Sequence, residues 1–185
     1  MTAKIKLNAA SGGGSFSLQA PSSSANTRVM TLPDTADGTI LTTTNPKSGN
    51  SLNVVKGETS SRVSTTSSSF VVTNLTATIT PTSSSNKVHI AVSGDYYIPS
   101  GVEGAIALYR GSSNLGSSDF GFLFVQSAGG ELAAPFSIDF LDSPNTTSAT
   151  TYTVYIKRSS GSNSIFLPRN DGHNPSVMIL TEIAG

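Results

Sequence analysis

The sequence predicts an all-β chain: an extended N-terminal arm followed by an antiparallel sandwich or barrel. Three observations carry that expectation. From Leu52 onward, apolar residues recur at every second position over short segments. Clusters of Gly, Pro, Asn and Ser divide those segments at intervals suited to antiparallel pairing. Hydroxyl residues, 32 Ser and 22 Thr among 185, take the polar positions. Only 12% of the chain is charged while 36% is hydrophobic, so the wetted side of each strand has to be built from hydroxyls. Threonine, being β-branched, suits a strand. Long runs of good helix formers are missing, and no helix is expected.

Taken in order, the first fifty residues hold little core material. Ile5 and Leu7 alternate with polar residues, Gly12-Gly13-Gly14 makes a hinge, and Phe16 and Leu18 alternate again. Val29-Met30-Thr31-Leu32-Pro33 and Ile40-Leu41, divided by the turn Asp37-Gly38, add further strand-like pieces. Pieces this few cannot bury a core alone. Residues 42–51, with Asn45-Pro46 and Ser48-Gly49, read as a linker. The expected organisation is an extended docking arm and linker over 1–50 and a head domain over 51–185.

Within the head, strands are expected over 52–56, 70–72, 75–80, 87–98, 105–110, 120–125, 135–141, 151–158, 164–167 and 176–183. Val88, Ile90 and Val92 share one face of their strand, as do Phe136, Ile138 and Phe140, and Tyr152, Val154 and Ile156. The last strand differs, because Val177, Met178, Ile179 and Leu180 are apolar on both faces. A strand of that kind is either a central strand covered by a loop or one side of a subunit contact, and the second is the expectation here.

Composition bounds the function. The formal net charge is zero, so no basic surplus exists to attract nucleic acid. There is no cysteine for disulfides or metal ligation. No stretch approaches the length of a membrane span, and the N-terminus lacks the apolar core of a signal peptide. The chain is expected to be made in the cytoplasm of its host cell. It would reach the exterior by lysis or within an assembly.

Catalytic patterns are scarce. His89 lies mid-strand, and His173 sits in the turn-forming run Asn170-Asp171-Gly172-His173-Asn174-Pro175. No nucleophile elbow, phosphate loop or metal-ligand spacing is found. Asp139 and Asp142 are the nearest pair of carboxylates that could serve a glycosidase, but turn and strand roles explain both. No catalytic residue, metal or cofactor is expected. Tyr96, Tyr97 and Tyr155 could stack on sugars; adjacent tyrosines on one strand must point to opposite faces.

Two stretches carry a resemblance. The run from Gly14 to Pro21 (GSFSLQAP), then Met30-Thr31-Leu32-Pro33 and Ala36-Asp37-Gly38-Thr39-Ile40-Leu41, resembles the short module that opens many tail-fibre and other appendage proteins of tailed bacteriophages, especially those of aquatic bacteria. Residues 63–81 (VSTTSSSFVVTNLTATITP), 87–92 and 140–155 (FLDSPNTTSATTYTVY) resemble the head domain that commonly follows it, and also tumour-necrosis-factor-like jelly rolls. The resemblance implies a jelly-roll head, a homotrimer and a non-enzymatic place on the virion surface, on the capsid exterior or the tail. Its docking arm would use Ile5, Leu7, Phe16, Leu18 and Leu32 against a major capsid protein or a tail protein. The threefold contact would use Val177, Met178, Ile179 and Leu180. Two roles stay open: a capsid decoration (cement) protein, favoured by small size and the missing shaft, and a short tail fibre whose head loops touch a host surface glycan.

Overall fold

The computed structural model describes residues 4–8, 10–19, 22–23, 25, 46–127, 129–170, 172 and 174–185. Contacts divide the chain into two compact units, Met1–Ile40 and Leu41–Gly185. In the first unit, β1 (Lys4–Asn8) pairs antiparallel with β2 (Ser15–Gln19). The register sets Ile5 opposite Leu18 and Leu7 opposite Phe16. The connection uses Gly12 and Gly13, both in the left-handed region (φ 82° and 70°). The expected pieces over 29–33 and 40–41, Leu32 included, lie outside the described residues.

The second unit holds β3 (Ser51–Thr59), β4 (Val63–Thr65), β5 (Val71–Ile79), β6 (Lys87–Ile98), β7 (Glu103–Arg110), β8 (Ser113–Asn114), β9 (Leu123–Gln126), β10 (Leu132–Asp142), β11 (Thr150–Ser160), β12 (Ile165–Leu167) and β13 (Ser176–Ile183). No helix occurs among the described residues. Eight of these strands carry the architecture: β3, β5, β6, β7, β9, β10, β11 and β13. The first pairs with the last, the second with the seventh, the third with the sixth and the fourth with the fifth, all antiparallel. This is the pattern of a long antiparallel ribbon folded back on itself. The ribbon then rolls, so that β13 meets β6 and β11 meets β7. The result is a jelly roll of two sheets, β3-β13-β6-β10 and β5-β11-β7-β9. The short strands β4 and β12 extend the first sheet, and β8 the second.

The core follows from the pleat. Val88, Ile90 and Val92 of β6, Met178 and Leu180 of β13, and Phe136 and Ile138 of β10 face inward from the first sheet. They meet Leu75 and Ile79 of β5, Tyr152, Val154 and Ile156 of β11, and Ile106 and Leu108 of β7. β3 approaches β5 across the sandwich at Gly57, where an added Cβ would collide with the Thr76 carbonyl. The last residues of the expected linker already belong to the head: Gly49 N–H donates to Ala184 O (2.8 Å), and Ala184 N–H to Asn50 O (2.9 Å).

Two expected elements differ. Segments 70–72 and 75–80 form the single strand β5. Thr73 interrupts the apolar pattern but points inward, where its hydroxyl donates to Val154 O (2.7 Å). A hydrogen-bonded threonine can be buried at little cost, and the strand continues with a bulge against β11. Residues 120–122 lie before β9 rather than in a strand over 120–125. Leu115 N–H bonds Leu108 O and Phe122 N–H bonds Ile106 O, so residues 116–121 are ejected from the ladder as a loop. Ser117 and Gly121 exchange both backbone bonds (3.0 and 2.9 Å) and close its neck. Gly121 lies at φ 59° against Ile106, where no side chain would fit. The polarity pattern of Phe120-Gly121-Phe122 reads the same in a strand and in such a loop.

The register predicts opposite responses along the first sheet. Leu180→Ala removes a side chain that is fully buried, and is expected to cost about 2–5 kcal/mol in urea unfolding. Val54→Ala removes one that is 61% exposed, and is expected to change stability by under about 0.5 kcal/mol in the isolated subunit. Equal costs at the two positions would mean that the register is wrong.

Candidate functional site

The carboxylate pair singled out in the sequence does not converge. Asp139 and Asp142 lie three residues apart on β10, so they point to opposite faces of the sheet. Asp142 is buried. It accepts two bonds from the Arg110 guanidinium (both 2.9 Å) and one from the Tyr152 hydroxyl (2.7 Å). Burial first, and then the Asp142 carboxylate beside it, hold the Tyr152 hydroxyl far above the usual tyrosine range. Asp139 points outward and meets His89 Nε2, 3.1 Å from each carboxylate oxygen. The two acids serve separate structural roles, and the geometry of a glycosidase pair is absent. His173 lies outside the described residues. Among the described residues, no group of three metal-ligating side chains comes together.

A second buried acid ties the C-terminal strand to the β5–β6 connection. Glu182 is fully buried, and its Oε1 accepts from Thr82 N–H (2.6 Å), the Thr82 hydroxyl (2.8 Å) and Asn86 Nδ2 (2.6 Å). Its Oε2 has no partner among the described residues. Desolvation pushes the pKa up, but the donors from Asn86 and Thr82 outweigh it and hold the group below the usual carboxylate range.

The surface best suited to an interaction is the outer face of β3-β13-β6-β10. Its cross-strand rows follow from the register. One row runs Val54, Thr181, His89, Leu141, and the next runs Lys56, Ile179, Ala91, Asp139. Beside them lie Glu58, Val177, Ser93 and Ser137 on one flank, and Ile183 with Lys87 on the other. Val54 and Leu141 are 61% and 51% exposed, and Val177, Ile179 and Ile183 are half-buried. The four residues singled out on the last strand therefore divide. Met178 and Leu180 belong to the subunit's own core, while Val177 and Ile179 remain on the outer face. β13 is a central strand, paired on both edges. Sequence reasoning missed Val54, Leu141 and Ile183. The signal was present as apolar doublets, Val54-Val55 and Phe140-Leu141, on strands that turned out to flank the same sheet.

Of the arm residues, Ile5 is 65% and Leu7 58% exposed. The side chains of Phe16 and Leu18, and the whole of Leu32, lie outside the described residues. Among the tyrosines, Tyr96 faces the core and Tyr97 faces out, its ring 5.5 Å from Phe166. Tyr155 stacks on Tyr109 at 4.0 Å on the outer side of the second sheet. The ejected loop presents Phe120, 53% exposed, with Phe124 edge-on at 5.2 Å.

These features define an all-β jelly-roll protein with exposed apolar surfaces on both units. No family model matches the chain, and no curated protein matches it. Among solved structures, it is similar to one of infectious bursal disease virus, Gx strain, at 15% identity and a TM-score of 0.34, over 85% of this chain and 42% of that one. It is also similar to the VP2 subviral particle of infectious bursal disease virus, at 14% identity and a TM-score of 0.35, over 91% and 46%. The chain spans less than half the length of either.

The Glu182 site makes acid stability testable. Its folded pKa is lowered, so its stabilisation is present above the unfolded value and is lost as pH falls through the folded one. Melting temperature should fall on acidification, and Glu182→Gln should flatten part of that decline. Parallel pH profiles for the two proteins would show that the carboxylate does not contribute.

Proposed function

We propose that this chain is a non-enzymatic structural protein of a tailed-bacteriophage virion, a trimeric knob anchored by its N-terminal arm and acting as a capsid decoration (cement) protein. The observation that carries this reading is the outer face of β3-β13-β6-β10, where apolar residues of four adjacent strands stand exposed or half-buried in one patch. Exposed apolar residues grouped on one face of a folded subunit, here set among Thr181, His89, Lys56 and Asp139, are the kind of surface an assembly covers. Here Val54, Leu141, Val177 and Ile179 would be covered by two further copies around a threefold axis. The exposed Ile5 and Leu7 of the β1–β2 hairpin support the anchoring half of the reading. They would bury, together with Phe16, Leu18 and Leu32, against a major capsid protein, adding strands or apolar contact across subunit junctions. Such a clamp works mechanically, by resisting outward pressure, and needs no catalytic group. The virion surface is then its location.

A second reading has its own support. The loop over 116–121 holds Phe120 outward on a hydrogen-bonded neck, a preorganised contact of the kind a short tail fibre or receptor-binding tip would use.

Three measurements test these readings. The chain should run as a trimer in light scattering, and Val54→Asp with Ile179→Asp should give a monomer that still melts cooperatively. A trimer that persists in the double variant would move the contact elsewhere. Copy number per purified particle, read by quantitative mass spectrometry against the major capsid protein, should reach hundreds for a cement protein. A few tens or fewer would select the tail. Removing residues 1–40 should leave the head folded but abolish its incorporation.

A further inference from the structure

The two flanks of the first sheet match each other. Among the described residues, β3 pairs with β13 alone and β10 with β6 alone, so these two strands bound the outer face. Their outward side chains are the open ones. Val54, Lys56 and Glu58 of β3 are exposed, and so are Leu141, Asp139 and Ser137 of β10. On the central strands, Val177, Ile179, Thr181, His89 and Ala91 are half-buried.

The register places these flank residues at the ends of three successive rows, and the ends of each row are complementary. Apolar Val54 stands level with apolar Leu141. The Lys56 ammonium stands level with the Asp139 carboxylate. The Glu58 carboxylate stands level with the Ser137 hydroxyl, which can donate to it. Rotation about an axis parallel to the strands keeps every residue at its own height. Three copies turned face-inward about such an axis set the β3 flank of one beside the β10 flank of the next, row for row. A contact of this kind joins two different patches and repeats until the ring closes. A slide of one row spoils the match. In one direction it opposes Glu58 to Asp139, two carboxylates; in the other it sets Val54 against Asp139 and Lys56 against Ser137.

Both charges can turn toward a neighbour at little cost. In the subunit, Lys56 meets Glu58 on its own strand, and Asp139 meets His89 Nε2 at 3.1 Å. The side chains of Lys56 and Asp139 are 54% and 80% exposed, and pairs this open contribute little to stability. We propose that copies of this chain join flank to flank, β3 of one against β10 of the next, with Lys56 facing Asp139 and Val54 facing Leu141 across each contact. This pairing rests on the threefold reading above and supplies its direction and register.

Charge reversal in the full chain tests it, read by light scattering over a concentration series, with thermal melting as the control for folding. The native chain should be a trimer. Lys56→Asp and Asp139→Lys, made singly, each set like charges across every contact. Each should raise the chain concentration needed for half-assembly by about tenfold or more, with melting still cooperative. Both reversals in one chain exchange the signs of the pair and should return that concentration to within about threefold of the native value. The pairing is overturned, and the threefold reading stands, if the native chain is a trimer but a single reversal assembles as tightly as it does, or if the double variant stays as weak as the singles. A native chain that does not trimerise overturns both.

Discussion

The pairing of β6 with β13 on one edge and β10 on the other is the constraint on which the rest of the molecule depends. Side chains alternate along a strand, so a register shift of one residue would turn Val88, Ile90 and Val92 to solvent and bring Lys87, His89 and Ala91 into the core. The same register decides what the outside looks like. It sets Val54 and Leu141 at the two ends of one outer row and Ile179 in the next, and it places Asp139 within reach of His89. Core, outer face and the His89–Asp139 hydrogen bond are three readings of one alignment.

Low charge shapes how the polar atoms are handled. The second sheet's outer face pairs Thr76 with Thr153 and Thr78 with Thr151, hydroxyl to hydroxyl, at 2.9 and 2.8 Å. Such pairs hold strands together without the salt sensitivity of exposed ion pairs. The few buried charges among the described residues are treated differently, each given donors on at least one carboxylate oxygen. Asp142 has an arginine and a tyrosine, and Glu182 has a threonine and an asparagine.

Much of the fold was legible in the sequence because period-two alternation survives in the long strands. β6 and β13 occupy the expected spans, and β10 and β11 extend theirs by a few residues. The jelly-roll topology came from resemblance and not from alternation, since local pattern says which side a residue faces and nothing about which strand lies beside it. For the same reason the outer face of the first sheet was read only in part. Val177 and Ile179 stood out within one strand, whereas Val54 and Leu141 gained meaning only once β3 and β10 proved to share its sheet. The short strands β4 and β8 carry too few residues for a period to register.

The ejected loop has a consequence for how this protein can change. The ladder closes on both sides of it, at Leu115 and at Phe122, and the neck is sealed between Ser117 and Gly121. The three residues at its tip, Ser118, Asp119 and Phe120, therefore bear no responsibility for register. Of these, only Phe120 touches the sandwich, through its ring against Phe124, so changes at Ser118 and Asp119 leave the fixed mount of the sandwich untouched.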